Sequence, residues 1–220
     1  PDHDATFATA IAGGRTVLGF ALAPTANTAG APTPQVQYVH RGPSVLPWLN
    51  RFGGATAALP AFVAAAAGNG ALNFVPDDDG VLRRVPLLLR VGDQPVPSLT
   101  AELLRVGQDE RNVILTAESN GPDEGRGLRE VRIGALTIPT TERGEVWVHY
   151  EAANPARYVP AWKLLAGEVP RSELEGNLLL VGTSAPGLMD LRFSPLGQII
   201  PGVEVHAQAL EQTLSGQHLV

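Results

Sequence analysis

The chain of 220 residues contains no cysteine, one methionine and one lysine. The missing thiols exclude disulfides, thiolate catalysis and Cys-ligated zinc, and they suit a periplasmic chain and a cytosolic one alike. Basic residues are scarce too. Sixteen Lys and Arg, of which only Lys163 is lysine, face 22 Asp and Glu, for a net charge of −6. That balance counts against sequence-independent binding to nucleic acid. Charged residues of all kinds make up 17% and apolar ones 44%, against roughly 25% charged in an average domain, so disorder is excluded for most of the length. Long apolar runs are also absent. The stretch 55–67 is mostly Ala, contains Pro60 and is too short and weak to cross a bilayer. The opening, PDHDAT, carries neither an initiator Met nor a basic leader and reads as the start of an excised segment. The length allows one large domain or two small ones, with enough chain to bury a core.

What is abundant is punctuation, with 24 Gly and 19 Pro. Residues 23–34 (APTANTAGAPTP) form a loop by composition, preceded by a candidate helix at 7–11 and a strand at 15–22. Residues 57–67 read as an Ala-rich helix stopped by Gly68 and Gly70. Two apolar runs within 72–91 flank PDDDG, so Asp79-Gly80 predicts a hairpin turn. Ser98 is placed to cap a helix with Leu99, Leu103 and Val106 on one face. Val131 and Ile133 alternate, 141–144 turns, and Val146, Val148 and Tyr150 alternate again. A short helix is expected at 160–165. NLLLV at 177–181 has the pattern of a strand buried on both faces. The last helix, 203–214, would place Val203, Ala207, Leu210 and Leu214 on one face, with Gly216 stopping it. This order predicts an α/β fold, a mixed central sheet flanked by helices with inserted antiparallel hairpins.

Chemistry is sparse. Gly182, Thr183 and Ser184 follow the apolar strand, where loops of open α/β sheets line a ligand crevice; small residues and two hydroxyls there suit an anionic or hydroxylated ligand, or simply a bare turn. Ser184, Asp190 and His206 stand in the order of a hydrolase triad, but Pro186 breaks G-x-S-x-G and only 21 residues separate Ser184 from His206. Asp77, Asp78 and Asp79 resemble a calcium loop, yet Leu88 occupies the position that needs a bidentate Glu. Arg83 shares a strand face with Val81, Val85, Leu87 and Leu89, which predicts a buried ion pair with Asp77, Asp79 or Asp190. His206 falls on the apolar side of the last helix as a core histidine. No catalytic residue, metal ligand or cofactor is expected.

Several blocks carry a resemblance. They are GNGALNFVPDDDGVLRRVPLLL, PSL at 97–99, Ile138-Pro139 with Gly144, Val146, Val148 and Tyr150, NLLLVGTSAPGLMDLRFSPLG at 177–197, and PGVEVHAQALEQTLSG at 201–216. Together they resemble the type-two CHASE domain, a sensory extracellular domain of bacterial receptors. The resemblance maps the family's recurring positions onto Asn73, Asp79, Gly80, Arg83, Gly182, Ser184, Asp190, Pro195, Gly202, His206 and Ala207. It implies a periplasmic sensor anchored in the inner membrane through flanking segments. The implied output is a cyclase or a kinase, the implied partner an unidentified small-molecule or periplasmic signal, and the working state a homodimer. Two departures stand out: Thr141 where an acidic residue is common, and Glu151 after Tyr150 where Gly is usual. The further strands that open the family domain are expected to lie outside these 220 residues. The ligand would meet Gly182, Thr183, Ser184, Asp190 and His206, and the last helix would carry the response.

Overall fold

The structure, a computed structural model, describes residues 2–27, 30–121, 124–152, 154–183 and 190–219. Helix α1 (His3–Ala12) leads into β1 (Val17–Ala23), β2 (Gln37–Arg41), β3 (Arg51–Phe52) and β4 (Gly54–Thr56). Helix α2 (Pro60–Ala65) precedes β5 (Gly68–Ala71), β6 (Arg84–Pro86), β7 (Leu88–Val91) and β8 (Gln94–Pro97). After α3 (Leu99–Gly107) come the long strands β9 (Asn112–Gly121) and β10 (Glu124–Ile133), then β11 (Leu136–Pro139) and β12 (Glu145–Trp147). The short helices α4 (Ala161–Leu165) and α5 (Arg171–Leu174) follow, then β13 (Leu191–Phe193), β14 (Ile199–Pro201) and α6 (Gly202–Ser215). No helix among the described residues is long and apolar enough to cross a membrane.

The α/β class expected from the sequence holds, with parallel and antiparallel pairing mixed. The strands, however, are shared among small sheets and do not form one central sheet. The largest has the order β11-β10-β9-β2, with β2 parallel to β9; another, β4-β1-β5, pairs β1 with β5 in parallel. Inserted hairpins join β7 to β8, β9 to β10, β10 to β11 and β13 to β14. In β10 both Leu128 and Val131 are buried, although three residues apart, because the register with β9 shifts between Leu128 and Glu130. A bulge of this kind returns the next apolar side chain to the same face. The main core gathers Val113, Leu115, Val131, Ile133 and Ile138 from that sheet, Leu104 from α3 and Val205, Ala209 and Leu210 from α6. A second cluster joins Phe20 and Leu22 of β1 to Ala55, Ala71, Leu89 and Val96.

Local chemistry explains the elements that agree with expectation. The Ser98 hydroxyl accepts from the Ala101 N–H at 3.2 Å and starts α3. Gly144, at φ 75°, closes the expected 141–144 turn by donating to the Thr141 carbonyl at 2.9 Å. Gly216 ends α6 in the left-handed conformation, φ 70°.

Four expectations are corrected. The Ala-rich helix is shorter than 57–67, and Gly68 and Gly70, instead of merely stopping it, build β5. There a Cβ on Gly70 would lie 2.6 Å from the Leu99 Cα, so only glycine lets the strand reach α3. The run at 72–75 is not a hairpin arm. The turn at Asp79-Gly80 forms, with Gly80 donating to Asp77 at 2.8 Å and φ 77°, but the Asn73 side chain takes the place of strand pairing. Its amide bonds both the N–H and the carbonyl of Leu22, at 2.5 and 3.0 Å. The run 177–181 has no strand partner among the described residues: Leu180 packs on the core while Leu179 and Val181 are exposed. Continuous apolarity reported burial on one side only. Finally, the buried face of α6 is turned from the expected one, with Val205, Ala209 and Leu210 inside and Leu214 outside, and it carries His206, Gln208 and Gln212 with it.

A candidate recognition site at the head of the last helix

The motif residues converge on β13 and the first turn of α6. From below, the Asp79-Gly80 turn is tied to β13 because Leu82 donates to the Phe193 carbonyl at 2.9 Å. Arg83 holds that turn. Its guanidinium meets Asp77 at 2.7 Å and grips Asp79 at 2.8 and 3.0 Å. These contacts draw the Asp79 carboxyl down to about 2, through Arg83 first and the Val81 N–H second. The expected partners Asp77 and Asp79 are therefore right, but the pair is a partly hydrated brace and not a buried one, with Arg83 36% exposed. Asp190 pairs elsewhere.

Asp190 sits directly over the start of α6. Its carbonyl accepts from the Gly202 N–H at 2.8 Å, and a Cβ on Gly202 would run into its carboxylate, with Oδ2 at 2.8 Å. Glycine at 202 is thus what lets an anion lie against the positive end of the helix. Gly182 likewise permits a close approach to α6, since a Cβ there would stand 2.5 Å from the Cβ of Val203. Pro195 lies in the β13–β14 turn, closed by Ser194 donating to Gln198 at 2.9 Å and by Gly197 at φ 71°. Gly202→Ala should cost about 1–3 kcal/mol by forcing Asp190 off the helix. Gly13→Ala, whose Cβ meets only ordinary contacts at 3.5 Å, should change stability by less than about 0.5 kcal/mol. Denaturant unfolding of the two variants checks this.

Asp190 also accepts an ion pair from Arg192 at 3.1 Å. The Arg192 guanidinium lies 5.7 Å from the centre of the Phe74 ring, and Phe74 in turn stacks on His206 at 4.5 Å. His206 is 3% exposed. Its Nδ1 is 2.9 Å from the Thr100 hydroxyl of α3, and its Nε2 is buried without a hydrogen-bond partner among the described residues. Burial lowers the imidazole to about 4; the Leu72 backbone opposes the shift and Arg192 adds to it. Because Thr100, and not Asp190, orients His206, these two residues do not form the relay of a hydrolase.

Of the residues expected to bind a ligand, Gly182 and Thr183 are exposed, Asp190 is half-buried and His206 is buried. Ser184 lies outside the described residues. Phe74, Thr100 and Arg192 were missed in the sequence, although Phe74 and Arg192 sit inside two of the recurring blocks. A wide cleft of about 470 Å³ opens elsewhere, lined by Gln35, Gln37, Arg105, Asp109, Glu110 and Arg111, and none of the motif residues lines it.

The fold is of the mixed α/β class, and its motif residues gather at the head of α6. The family model of the CHASE2 domain matches residues 1–220, the whole chain, and the chain belongs to that family. CHASE2 domains are sensory extracellular domains of signalling receptors and are not catalytic ones. No curated protein and no solved structure matches the chain.

Proposed function

We propose that this domain is the periplasmic ligand-sensing part of a bacterial transmembrane receptor, with an adenylate or guanylate cyclase or a kinase as its output and a homodimer as its working state. The observation that carries the reading is the convergence at one helix start. Gly182, Asp190 and Gly202 let two loop segments lie directly on the first turn of α6, and α6 runs from there through the main core. A small molecule received along Gly182, Thr183 and Asp190 presses on α6 without any intervening element. Helix shifts of about 1–2 Å are usual in such coupling. A nearly complete switch requires roughly 5.5 kcal/mol of differential affinity between the two states.

A thermal-shift screen of small metabolites tests the ligand. A compound at about 100 times its Kd adds about 2.7 kcal/mol to stability, and Gly202→Val should abolish that gain. Spin labels on α6 and β9, measured with and without such a compound, should show α6 displaced; an unmoved α6 would remove the proposed route. Alkaline phosphatase fused within the parent polypeptide beside the domain should be active if the domain is periplasmic. Sedimentation at micromolar concentration reads the dimer directly.

A further inference from the structure

His206 sits where four segments meet. It belongs to α6, its Nδ1 touches Thr100 of α3 at 2.9 Å, its ring stacks on Phe74 at 4.5 Å, and the guanidinium of Arg192 from β13 lies 5.7 Å from the centre of the Phe74 ring. A neutral imidazole fits this place, because one nitrogen can accept from the Thr100 hydroxyl. A charged one does not. Both nitrogens of an imidazolium are donors, so Thr100 would have to turn its hydroxyl round, and the buried Nε2 makes no hydrogen bond in the packed state among the described residues; the Leu72 backbone favours the charged ring, but burial outweighs it.

The charges nearby offer no relief. Arg192, from β13, repels an imidazolium, and Asp190 is closed on Arg192 at 3.1 Å. On α3, Glu102 and Arg105 are closed on each other at 2.6 Å. On α6 itself, Glu204 is held by the Tyr158 hydroxyl at 2.8 Å and by Gln208 at 2.9 Å. The segment 72–74 contributes only Leu72, Asn73 and Phe74. Glu211, the other carboxylate of α6, is paired with Arg157 at 2.6 Å, so each carboxylate of α3 and α6, and Asp190, is already engaged.

We infer that His206 is a proton-operated latch: on acidification it loosens α6 from α3 and from the Phe74 segment, so that acid itself is a signal this domain reads. The inference rests on α6 as the element that carries the response. In the packed state burial holds the imidazole at about 4, whereas a hydrated imidazole in the loosened state titrates near 6.5. The folded value is the lower one. Packing is therefore at full strength above pH 6.5 and is lost as pH falls through about 4. Between pH 7.5 and pH 5 the ratio of loosened to packed domain should rise about 30-fold.

Hydrogen exchange, corrected for the intrinsic pH dependence of the amides and read segment by segment, tests the latch. At pH 5, α6 should lose protection about 30-fold relative to pH 7.5, while β9 and β10 keep theirs. His206→Gln, which cannot titrate, should make α6 indifferent to pH over that range. Equal protection of α6 at the two pH values, or the same acid response in His206→Gln, would overturn the latch. So would loss of protection in all segments together, the mark of global acid unfolding. Should His206→Gln not fold, the His206 ring of the unaltered protein can be titrated by NMR; an inflection that does not coincide with the opening of α6 overturns the latch equally. Spin labels on α6 and β9 separate this from the reading beneath it. Exchange that opens at α6 without any change in label distance upholds the latch and overturns α6 as the carrier of the response. Unchanged exchange overturns the latch alone.

Discussion

Arg105→Met should lower the stability of this domain by about 3–5 kcal/mol. Glu102 and Arg105 stand three residues apart on α3, 1% and 6% exposed. The guanidinium meets the carboxylate in fork geometry, Nε to Oε2 at 2.8 Å and Nη2 to Oε1 at 2.6 Å, and its remaining donors bond the carbonyls of Glu110 at 2.7 Å and Ala67 at 3.0 Å. Gly68 makes room for the pair, since a Cβ there would stand 2.7 Å from the Glu102 Cγ. Truncating the arginine leaves an anion in the interior with no counter-charge, and this, more than the lost attraction, sets the cost. In a domain of this size the loss corresponds to a fall in Tm of roughly 10 °C. Replacing both residues, in Glu102→Leu with Arg105→Met, should recover much of it, because neither charge is then stranded. Recovery should be incomplete, as the carbonyls of Ala67 and Glu110 still lose their donor. A single Arg105→Met variant as stable as the parent would show that the pair is not the buried one described.

Gln212→Ala should cost about 2–4 kcal/mol, and the damage should be local. Gln212, 6% exposed, reaches from α6 to the segment that continues β12. Its Oε1 accepts from the His149 N–H at 2.6 Å and its Nε2 donates to the Trp147 carbonyl at 2.8 Å. One turn earlier, Gln208 repeats the device on the Glu151 N–H at 3.0 Å. The two amides bond backbone groups of Trp147, His149 and Glu151 in the way a neighbouring strand would. Truncation strands a donor and an acceptor at about 1–3 kcal/mol each when buried, and both sites are only partly buried, so the lower part of that range applies. Residues 147–151 should then exchange amide protons faster while β9 and β10 stay protected. Uniform protection across both regions would show that the glutamines are ornamental.

The two side-chain devices mark the limit of what could be read in advance. Ser98, the 141–144 turn and Gly216 act within four residues of themselves, so their roles were visible in the order of residue types. Glu102 and Arg105 were visible as a spacing but not as a buried pair, because three residues on a helix describe a surface ion pair equally well. Asn73 shows the difficulty from the other side: its partner Leu22 lies 51 positions away, and nothing in FALA announces that an amide will complete it. The run at 177–181 misled for the same reason. Four apolar side chains in a row report a tendency to leave water, while a strand requires a neighbour with free backbone groups.

At the candidate site the same division holds. The recurring blocks named Gly182, Asp190, Gly202 and His206 and gave the family, since those residue types at those spacings are a property of the chain alone. Contact between them is not. That Gly202 is glycine because Asp190 lies on it, that Gly182 is glycine because Val203 does, and that Thr100 holds the imidazole follow only once α3, β13 and α6 are packed together. The sequence by itself determined the α/β class, the caps and turns, and membership of a sensory family, all of which depend on local order. Tertiary structure alone decided which face of α6 is buried, which charges are paired and where the motif residues meet. Those are set by side chains far apart in sequence competing for the same dry space, and that competition is resolved only when the core closes.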